Sequence, residues 1–320
     1  MILTIILLLI GLAILIIGAE ALVRGAVSFS KKVGIPPIVI GLTIVAFGTS
    51  LPELVVNLIS AIKGTTGLAL GNIIGSNIAN ILLILGISAL IVDLKVQKNT
   101  VWKEIPFAVL AVLVIFAMAN DKVLGKGIIN ILSRIDGFIL FGFFAIFLCY
   151  IFKLARAGSD NTEQGKIKVY STFISIPLMI AGLLFLFFGG QLLVNQAVIL
   201  AKLAGLSEMF IGLTILAVGT SLPELATSAM AVIKGQNDIA IGNIVGSNIF
   251  NIFWVLGITG IIQPMAINTG ANVDILVCLT ATVALFLAMF IGKKHTLKRW
   301  QGGLFVISYI IYVIYLIQRG

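Results

Sequence analysis

The sequence GLTIVAFGTSLPELVVNLISAIKG, at residues 41–64, recurs with few changes as GLTILAVGTSLPELATSAMAVIKG at residues 212–235. Fifteen of the 24 aligned positions are identical at a constant offset of 171 residues. At the same offset, LALGNIIGSNIANI at 68–81 matches IAIGNIVGSNIFNI at 239–252 at ten of 14 positions. The chain is therefore predicted to be a duplication of one structural unit.

The composition around these repeats indicates a membrane protein. Of the 320 residues, 60% are hydrophobic and only 10% are charged, and the mean hydropathy is +1.20. Soluble domains carry about 25% charged residues, and disordered chains are poor in apolar ones, so both classes are excluded. Long solid apolar runs also argue against a transmembrane barrel. The net charge of +9 indicates contact with anionic lipid, and no nucleic-acid partner is expected.

Ten segments are apolar and long enough to cross a bilayer, which takes about 20 residues. The first begins at Ile2 without a basic region before it, which favours a first span over a cleaved signal peptide. The predicted spans are 2–24, 36–62, 67–91, 104–119, 135–152, 172–199, 207–233, 238–262, 273–291 and 301–317.

The repeat unit thus contains five spans. Because five is odd, the second copy must enter the bilayer upside down relative to the first. The sequence predicts an all-α membrane protein with ten transmembrane helices in two inverted five-helix repeats. These are residues 1–152 and 172–320, joined by a cytosolic linker at 153–171. Inverted repeats are typical of secondary transporters, which bind their substrate near the midplane between the repeats.

The distribution of loop charge predicts the orientation. The odd-numbered loops contain fifteen lysines and arginines, whereas the even-numbered loops and the C-terminus contain six. Since basic loops stay in the cytosol, the odd loops are expected there and both termini outside the cell membrane.

The GTSLPE motif places oxygen ligands inside span 2. Pro52 lacks an N–H, so the Gly48 carbonyl loses its helical partner. Such a carbonyl cannot face lipid and needs a ligand, water or a side-chain donor. Thr49 and Glu53 share one helix face, and Ala46 precedes Thr49 by three residues. The second copy repeats this arrangement with Ala217, Thr220 and Glu224. Hard oxygen ligands of this kind suit sodium and calcium.

Glu53 and Glu224 are the two carboxylates placed near the middle of predicted spans. A charge at that depth costs at least about 2.5–3.5 kcal/mol. Two facing carboxylates repel unless a cation or a proton neutralises them. The alternative is a structural pair that shares a proton and holds two helices together. At the end of span 1, Glu20 and Arg24 are predicted to form an i,i+4 ion pair.

Span 3 carries a polar stripe with a four-residue period, which recurs in span 8. It consists of Asn72, Ser76 and Asn80, with Asn243, Ser247 and Asn251 in the second copy. Ser76, Asn80, Ser247 and Asn251 are predicted to contact a cation opposite the carboxylates. Four amides, Asn72, Asn77, Asn243 and Asn248, are equally compatible with hydrogen bonds between helices.

The paired GTSLPE and GNIIGSN/GNIVGSN motifs resemble the alpha-repeats of the sodium/calcium exchangers. The chain is similar over its whole length to the compact prokaryotic members of the calcium:cation antiporter superfamily. The resemblance implies a secondary antiporter, not an enzyme, with sodium and calcium as transported ions. It implies no further cofactor, and no obligate protein partner is evident beside the lipid bilayer.

The resemblance also implies four cation positions in a diamond at the protein centre. Calcium would bind the carboxylates of Glu53 and Glu224 and the carbonyls of Thr49 and Thr220. One set of sodium ligands would be Ala46, Thr49, Ser50, Ser76 and Glu224. The other set would be Ala217, Thr220, Ser221, Ser247 and Glu53. Asn80 and Asn251 would border the middle position.

Alternating access in this family implies that spans 1 and 6 slide across the core while three sodium ions exchange for one calcium. Gly18 and Gly189 are compatible with such close sliding. An empty site would leave two uncompensated carboxylates in a low dielectric, which favours obligatory exchange.

Several alternatives remain open. A proton/calcium exchanger typically has a GNxxE motif, but Ser76 and Ser247 stand at the matching positions. A potassium-dependent exchanger has an aspartate at the position of Asn251. An intramembrane acid–base enzyme would need a nucleophile or metal group beside the two glutamates. A non-transporting scaffold would not require duplicated polar residues at mid-membrane.

Overall fold

The computed structural model describes residues 2–64, 66–120, 130–156, 169–203, 217–267 and 271–319. These residues form helices joined by short loops, with two pairs of two-residue strands. The helices are α1 Ile2–Val33, α2 Pro37–Thr49, α3 Leu51–Ile62, α4 Gly67–Ile91, α5 Thr100–Met118, α6 Arg134–Arg156, α7 Thr172–Leu203, α8 Ala217–Thr220, α9 Leu222–Ile233, α10 Asn237–Ile262, α11 Ala271–Ala288 and α12 Arg299–Arg319. The strands are β1 Leu94–Lys95, β2 Ile131–Leu132, β3 Met265–Ala266 and β4 Thr296–Leu297.

The predicted all-α membrane class is confirmed. Within the described residues, 8 helices are long and apolar enough to cross a membrane, or 9 if α2 and α3 form one bent span. α9 is a shorter apolar helix. Much of the predicted span 207–233 lies outside the described residues, so the count of ten helices stays a prediction.

Helix α1 is longer than predicted, since it ends at Val33 instead of residue 24. The sequence estimate stopped at the charged residues Glu20 and Arg24, which pair with each other along the helix. The helix ends where Gly34 adopts a φ of +74° and its N–H donates to the Ser30 carbonyl at 2.9 Å. This left-handed glycine is a common helix terminator.

Helices α1 and α7 pack closely through glycines. A Cβ built on Gly11 would lie 3.1 Å from the Gly189 carbonyl oxygen, and one on Gly18 would lie 2.9 Å from that of Gly182. The two helices therefore run antiparallel with their backbones in contact. Gly11 and Gly182, like Gly18 and Gly189, are 171 residues apart in sequence, so the two contacts are equivalent in the two halves.

The short strands repeat this relation at the membrane surfaces. Strand β1 pairs antiparallel with β4, and β2 pairs antiparallel with β3. Beside the first pair, the Lys298 ammonium and the Arg299 backbone N–H both donate to Asp93. These hydrogen bonds hold the pKa of Asp93 below its usual value.

Helices α4 and α10 each contain a wide π-helical stretch, at Ala79–Leu85 and Phe250–Leu256. The two stretches are again 171 residues apart, and each begins one residue before a predicted ligand, Asn80 or Asn251. Such π-helical turns often occur at functional sites, because they change where side chains point.

Candidate cation-binding site

The predicted interruption of span 2 is present as a bend of 43° between α2 and α3. Ser50 stands at the break with φ −85° and ψ 3°, and Ser221 has nearly the same backbone angles, −89° and 6°. The following proline lies in the first turn of α3 and of α9, where its missing N–H is not needed. Glu53 and Glu224 consequently lie in the first turn of a helix, where backbone N–H groups favour negative charge.

Both carboxylates are buried, with Glu53 0% and Glu224 1% exposed. The Ser76 hydroxyl donates to Glu53 Oε1 at 3.5 Å, and the Ser247 hydroxyl donates to Glu224 Oε1 at 3.4 Å. The Ser50 hydroxyl also donates to Glu224 Oε1 at 3.4 Å, so the site joins the two halves of the chain. The structure thus brings the GTSLPE and GNxxGS motifs together as predicted from their spacing.

A reciprocal amide network crosses between α4 and α10 beside these carboxylates. Asn77 Nδ2 donates to the Asn248 carbonyl at 3.1 Å, and Asn248 Nδ2 donates to the Asn77 carbonyl at 3.3 Å. Asn80 Nδ2 donates to Asn248 Oδ1 at 2.9 Å, and Asn251 Nδ2 donates to Asn77 Oδ1 at 3.0 Å. Asn77 and Asn248 therefore join helices, which is one of the two interpretations of these amides.

The same hydrogen bonds orient Asn80 and Asn251. Because their Nδ2 atoms are held by the opposite helix, their Oδ1 atoms are left to face elsewhere. Both Oδ1 atoms, together with Oε2 of Glu53 and Oε2 of Glu224, are buried and accept no hydrogen bond from the described residues. An unsatisfied buried acceptor costs about 1–3 kcal/mol, and more when it is charged. Four such oxygens suit a sodium or calcium ion.

The remaining predicted ligands surround this group to different degrees. Ala46, Ser50 and Thr49 are buried, and the Thr49 hydroxyl donates to Asn243 Oδ1 at 3.0 Å. In the second copy, Ser221 is buried and Thr220 is half-buried. Only the backbone of Ala217, at the start of α8, is among the described parts of the chain.

Two supporting residues were missed in the sequence. Asn72 Nδ2 donates to Asn57 Oδ1 at 2.9 Å, and Asn243 Nδ2 donates to the Ser228 hydroxyl at 3.0 Å. Asn57 and Ser228 lie four residues after Glu53 and Glu224, on the same helix face. That spacing was a signal that could have identified them. The contacts show Asn72 and Asn243 in hydrogen bonds between helices.

A third buried carboxylate, Glu104, was also missed. It lies in the first turns of α5, is 1% exposed, and accepts a hydrogen bond from the Tyr150 hydroxyl. The sequence analysis considered only carboxylates near the middle of spans, whereas Glu104 stands near the end of one. It provides a buried carboxyl group outside the GTSLPE motifs.

A cavity of about 830 Å³ lies between α3, α4, α7 and α9. Pro52, Thr220 and Pro223 line it near the carboxylates, and Asp274 and Arg319 line it at the other end. Its walls include Gln191 and Asn195 of α7. It gives the described part of the site a route toward one membrane surface.

The fold and the site define a polytopic α-helical transporter. Within the described residues, no group of three or more His, Cys, Asp or Glu side chains is placed to hold a resident metal ion. The "Sodium/calcium exchanger protein" family matches residues 3–153 and 174–318. The chain belongs to this family and is a calcium:cation antiporter of the compact prokaryotic type.

Individual relatives agree with this assignment. The chain is 39% identical over 312 residues to "Putative antiporter CaxA" of Alkalimonas amylolytica, with 95% of each chain covered. It is 29% identical over 350 residues to "Sodium/calcium exchanger MaX1" of Methanosarcina acetivorans, with 97% of each covered. The structure matches the sodium-calcium exchanger NCX_Mj soaked with sodium and without calcium, at a TM-score of 0.82 and 32% identity over 98% of both chains.

Proposed function

We propose that this antiporter exchanges sodium for calcium by alternating access at the site between Glu53 and Glu224. The observation that carries the proposal is the group of four buried oxygens without hydrogen-bond donors around these carboxylates. Two negative charges and neutral oxygens can hold one calcium or several sodium ions in turn. An empty site exposes two uncompensated buried charges, so cations must be exchanged for the carrier to cross.

In this proposal, calcium binds the two carboxylates and the carbonyls of Thr49 and Thr220. The hydrogen bonds of Ser76 and Ser247 to the carboxylates support nearby sodium positions. The full set of proposed ligands is Ala46, Thr49, Ser50, Glu53, Ser76, Asn80, Ala217, Thr220, Ser221, Glu224, Ser247 and Asn251. The carboxylates bind ions and catalyse no reaction, and a single chain suffices without a cofactor or a partner protein.

The proposed architecture has ten transmembrane helices in two inverted five-helix repeats, at 1–152 and 172–320 with a linker at 153–171. The equivalent contacts of Gly11 with Gly189 and of Gly18 with Gly182 support it. So do the equivalent strand pairs and the reciprocal hydrogen bonds of Asn77 and Asn248.

Both termini are proposed to lie outside and the 153–171 linker in the cytosol, because fifteen of the basic residues fall in odd loops and six elsewhere. A Ser159→Cys variant, in a background with Cys149 and Cys278 replaced by alanine, is expected to resist an impermeant thiol reagent applied to intact cells. The same cysteine should react once the membrane is permeabilised. Reaction in intact cells would contradict the orientation.

Transport is expected to be electrogenic and independent of potassium. Two carboxylates balance one calcium, whereas three sodium ions leave one net positive charge. Three sodium ions leaving for one calcium entering move one positive charge outward, so an inside-positive potential should accelerate calcium uptake. Asn251 is a neutral amide and gives potassium no added charge. Uptake by proteoliposomes at clamped voltage, with choline in place of potassium, tests both points; a potassium requirement or indifference to voltage would contradict them.

A proton/calcium exchanger is the second candidate function, since protons could neutralise the same two carboxylates. Purified protein in proteoliposomes distinguishes the two. Calcium uptake is expected with an outward sodium gradient and not with an outward proton gradient in sodium-free buffer. Uptake driven by protons alone would replace sodium by protons in the account and leave the site unchanged.

A further inference from the structure

An ion pair joins α1 to the end of α9, beside the predicted pair within α1. Glu20 Oε1 accepts hydrogen bonds from Arg24 Nη2 at 2.6 Å and from Lys234 Nζ at 2.7 Å. Arg24 lies one turn away on the same helix, whereas Lys234 is the residue that ends α9. Glu20 thus holds together two cations that belong to different helices.

The membrane side that carries this pair is closed in the structure. A Cβ built on Gly242 of α10 would lie 2.8 Å from the Ile38 carbonyl oxygen, and one on Gly246 would lie 2.8 Å from the Ala46 Cβ. Ile239, at the start of the same helix, is 0% exposed. Its equivalent on the cavity side, Leu68, is 67% exposed. Helices α2 and α10 therefore block access to the carboxylates from the side of Lys234.

The sequence equivalents of this pair carry no charge on the cavity side. At the offset of 171, Glu20 corresponds to Gln191 and Arg24 corresponds to Asn195, while Lys63 corresponds to Lys234. Gln191 and Asn195 both line the cavity. The two ends of the transport path thus differ in chemistry, although the carboxylate site between them is nearly symmetric.

We propose that the Glu20–Lys234 ion pair is a latch that holds one side of the transporter closed and favours the state open on the cavity side. The inference rests on the alternating access of the proposed function. When α1 slides across the core, Glu20 moves relative to Lys234, and the pair must separate before that side opens. The amide pair Gln191 and Asn195 provides no equivalent ionic restraint on the other side.

The latch can be measured without transport. Ala231, which is buried on α9, corresponds to Ser60, which lines the cavity. An Ala231→Cys probe, with Cys149 and Cys278 replaced by alanine, should react slowly with a cationic water-soluble thiol reagent while the latch is closed. The purified full chain is labelled in nanodiscs without sodium or calcium. Failure of the exchange proposal would appear in uptake, and failure of the latch would appear in this rate.

Three single variants separate the latch from simple helix stabilisation. Lys234→Met removes the bond between helices and is expected to raise the labelling rate about two- to fivefold, the range for a partly exposed pair. Glu20→Gln should raise it further, because Arg24 and Lys234 then face each other as like charges. Arg24→Gln removes only the pair within α1 and should leave the rate unchanged. Asp93→Asn, which breaks the similarly exposed pair with Lys298, is a second control.

A charge exchange guards against misfolding. The double variant Glu20→Lys with Lys234→Glu restores an ion pair between the helices and should return the labelling rate toward that of the parent. Equal labelling rates in Lys234→Met and Arg24→Gln would overturn the proposal. So would a rate in the charge exchange as high as that of Glu20→Gln.

Discussion

Replacing either Glu53 or Glu224 by glutamine is expected to abolish sodium-driven calcium uptake. Glutamine keeps the size of the side chain but removes one of the two negative charges at the site. Both carboxylates are buried, so water cannot compensate for the lost charge. Loss of one partner in a buried charge interaction costs roughly 2–5 kcal/mol, which corresponds to a fall in calcium affinity of at least about thirtyfold.

The measurement is radioactive calcium uptake into proteoliposomes with an outward sodium gradient, at matched amounts of monodisperse protein. Glu104→Gln is the matched control, because Glu104 is equally buried but bonds to Tyr150 away from the GTSLPE motifs. That variant is expected to retain uptake. Near-normal uptake by Glu53→Gln or Glu224→Gln would refute the assignment of the site.

The second large effect is expected from Gly182→Val, at the contact between α1 and α7. A Cβ at this position would lie 2.6 Å from the Leu22 backbone nitrogen and 2.9 Å from the Gly18 carbonyl oxygen. Because these are backbone atoms, one helix must move away. Overpacking of this kind lowers the free energy of unfolding by about 1–3 kcal/mol. The same displacement should stop α1 and α7 from sliding, so exchange should also fall.

Gly142→Val is the control for this substitution. Gly142 lies on α6, and no described atom outside its own helix backbone would come within 4 Å of its Cβ. Thermal unfolding of both variants in detergent, followed by the uptake assay, compares them directly. A Gly182→Val protein with the stability and uptake of the Gly142→Val protein would show that the glycine contact is unimportant.

The repeated motifs were sufficient to predict the centre of the molecule. Pro52 and Pro223 placed the helix breaks, and the four-residue spacing of Ser76 and Asn80 placed their side chains on one face. Both predictions depend on local backbone geometry, which sequence spacing determines directly. The structure agrees with them at the bend between α2 and α3 and in the bond of Ser76 to Glu53.

Contacts between distant segments were less accessible to sequence analysis. Lys234 was counted only as a loop charge, although it bonds to Glu20 across 214 positions of the chain. The i,i+4 pair of Glu20 with Arg24 was predicted because both residues lie on one helix. The pairing of an end of α9 with α1 depends on how the two halves pack, and a local pattern carries no information about that.

Equilibrium binding of radioactive calcium to the purified protein, at rising sodium concentrations, tests the central claim most directly. The account predicts one saturable calcium ion per chain, displaced by sodium with a Hill coefficient above one, since several sodium ions replace each calcium. The double variant Glu53→Gln with Glu224→Gln should show no saturable calcium binding. Calcium binding by the unaltered protein that sodium does not displace would contradict a shared site for the two ions.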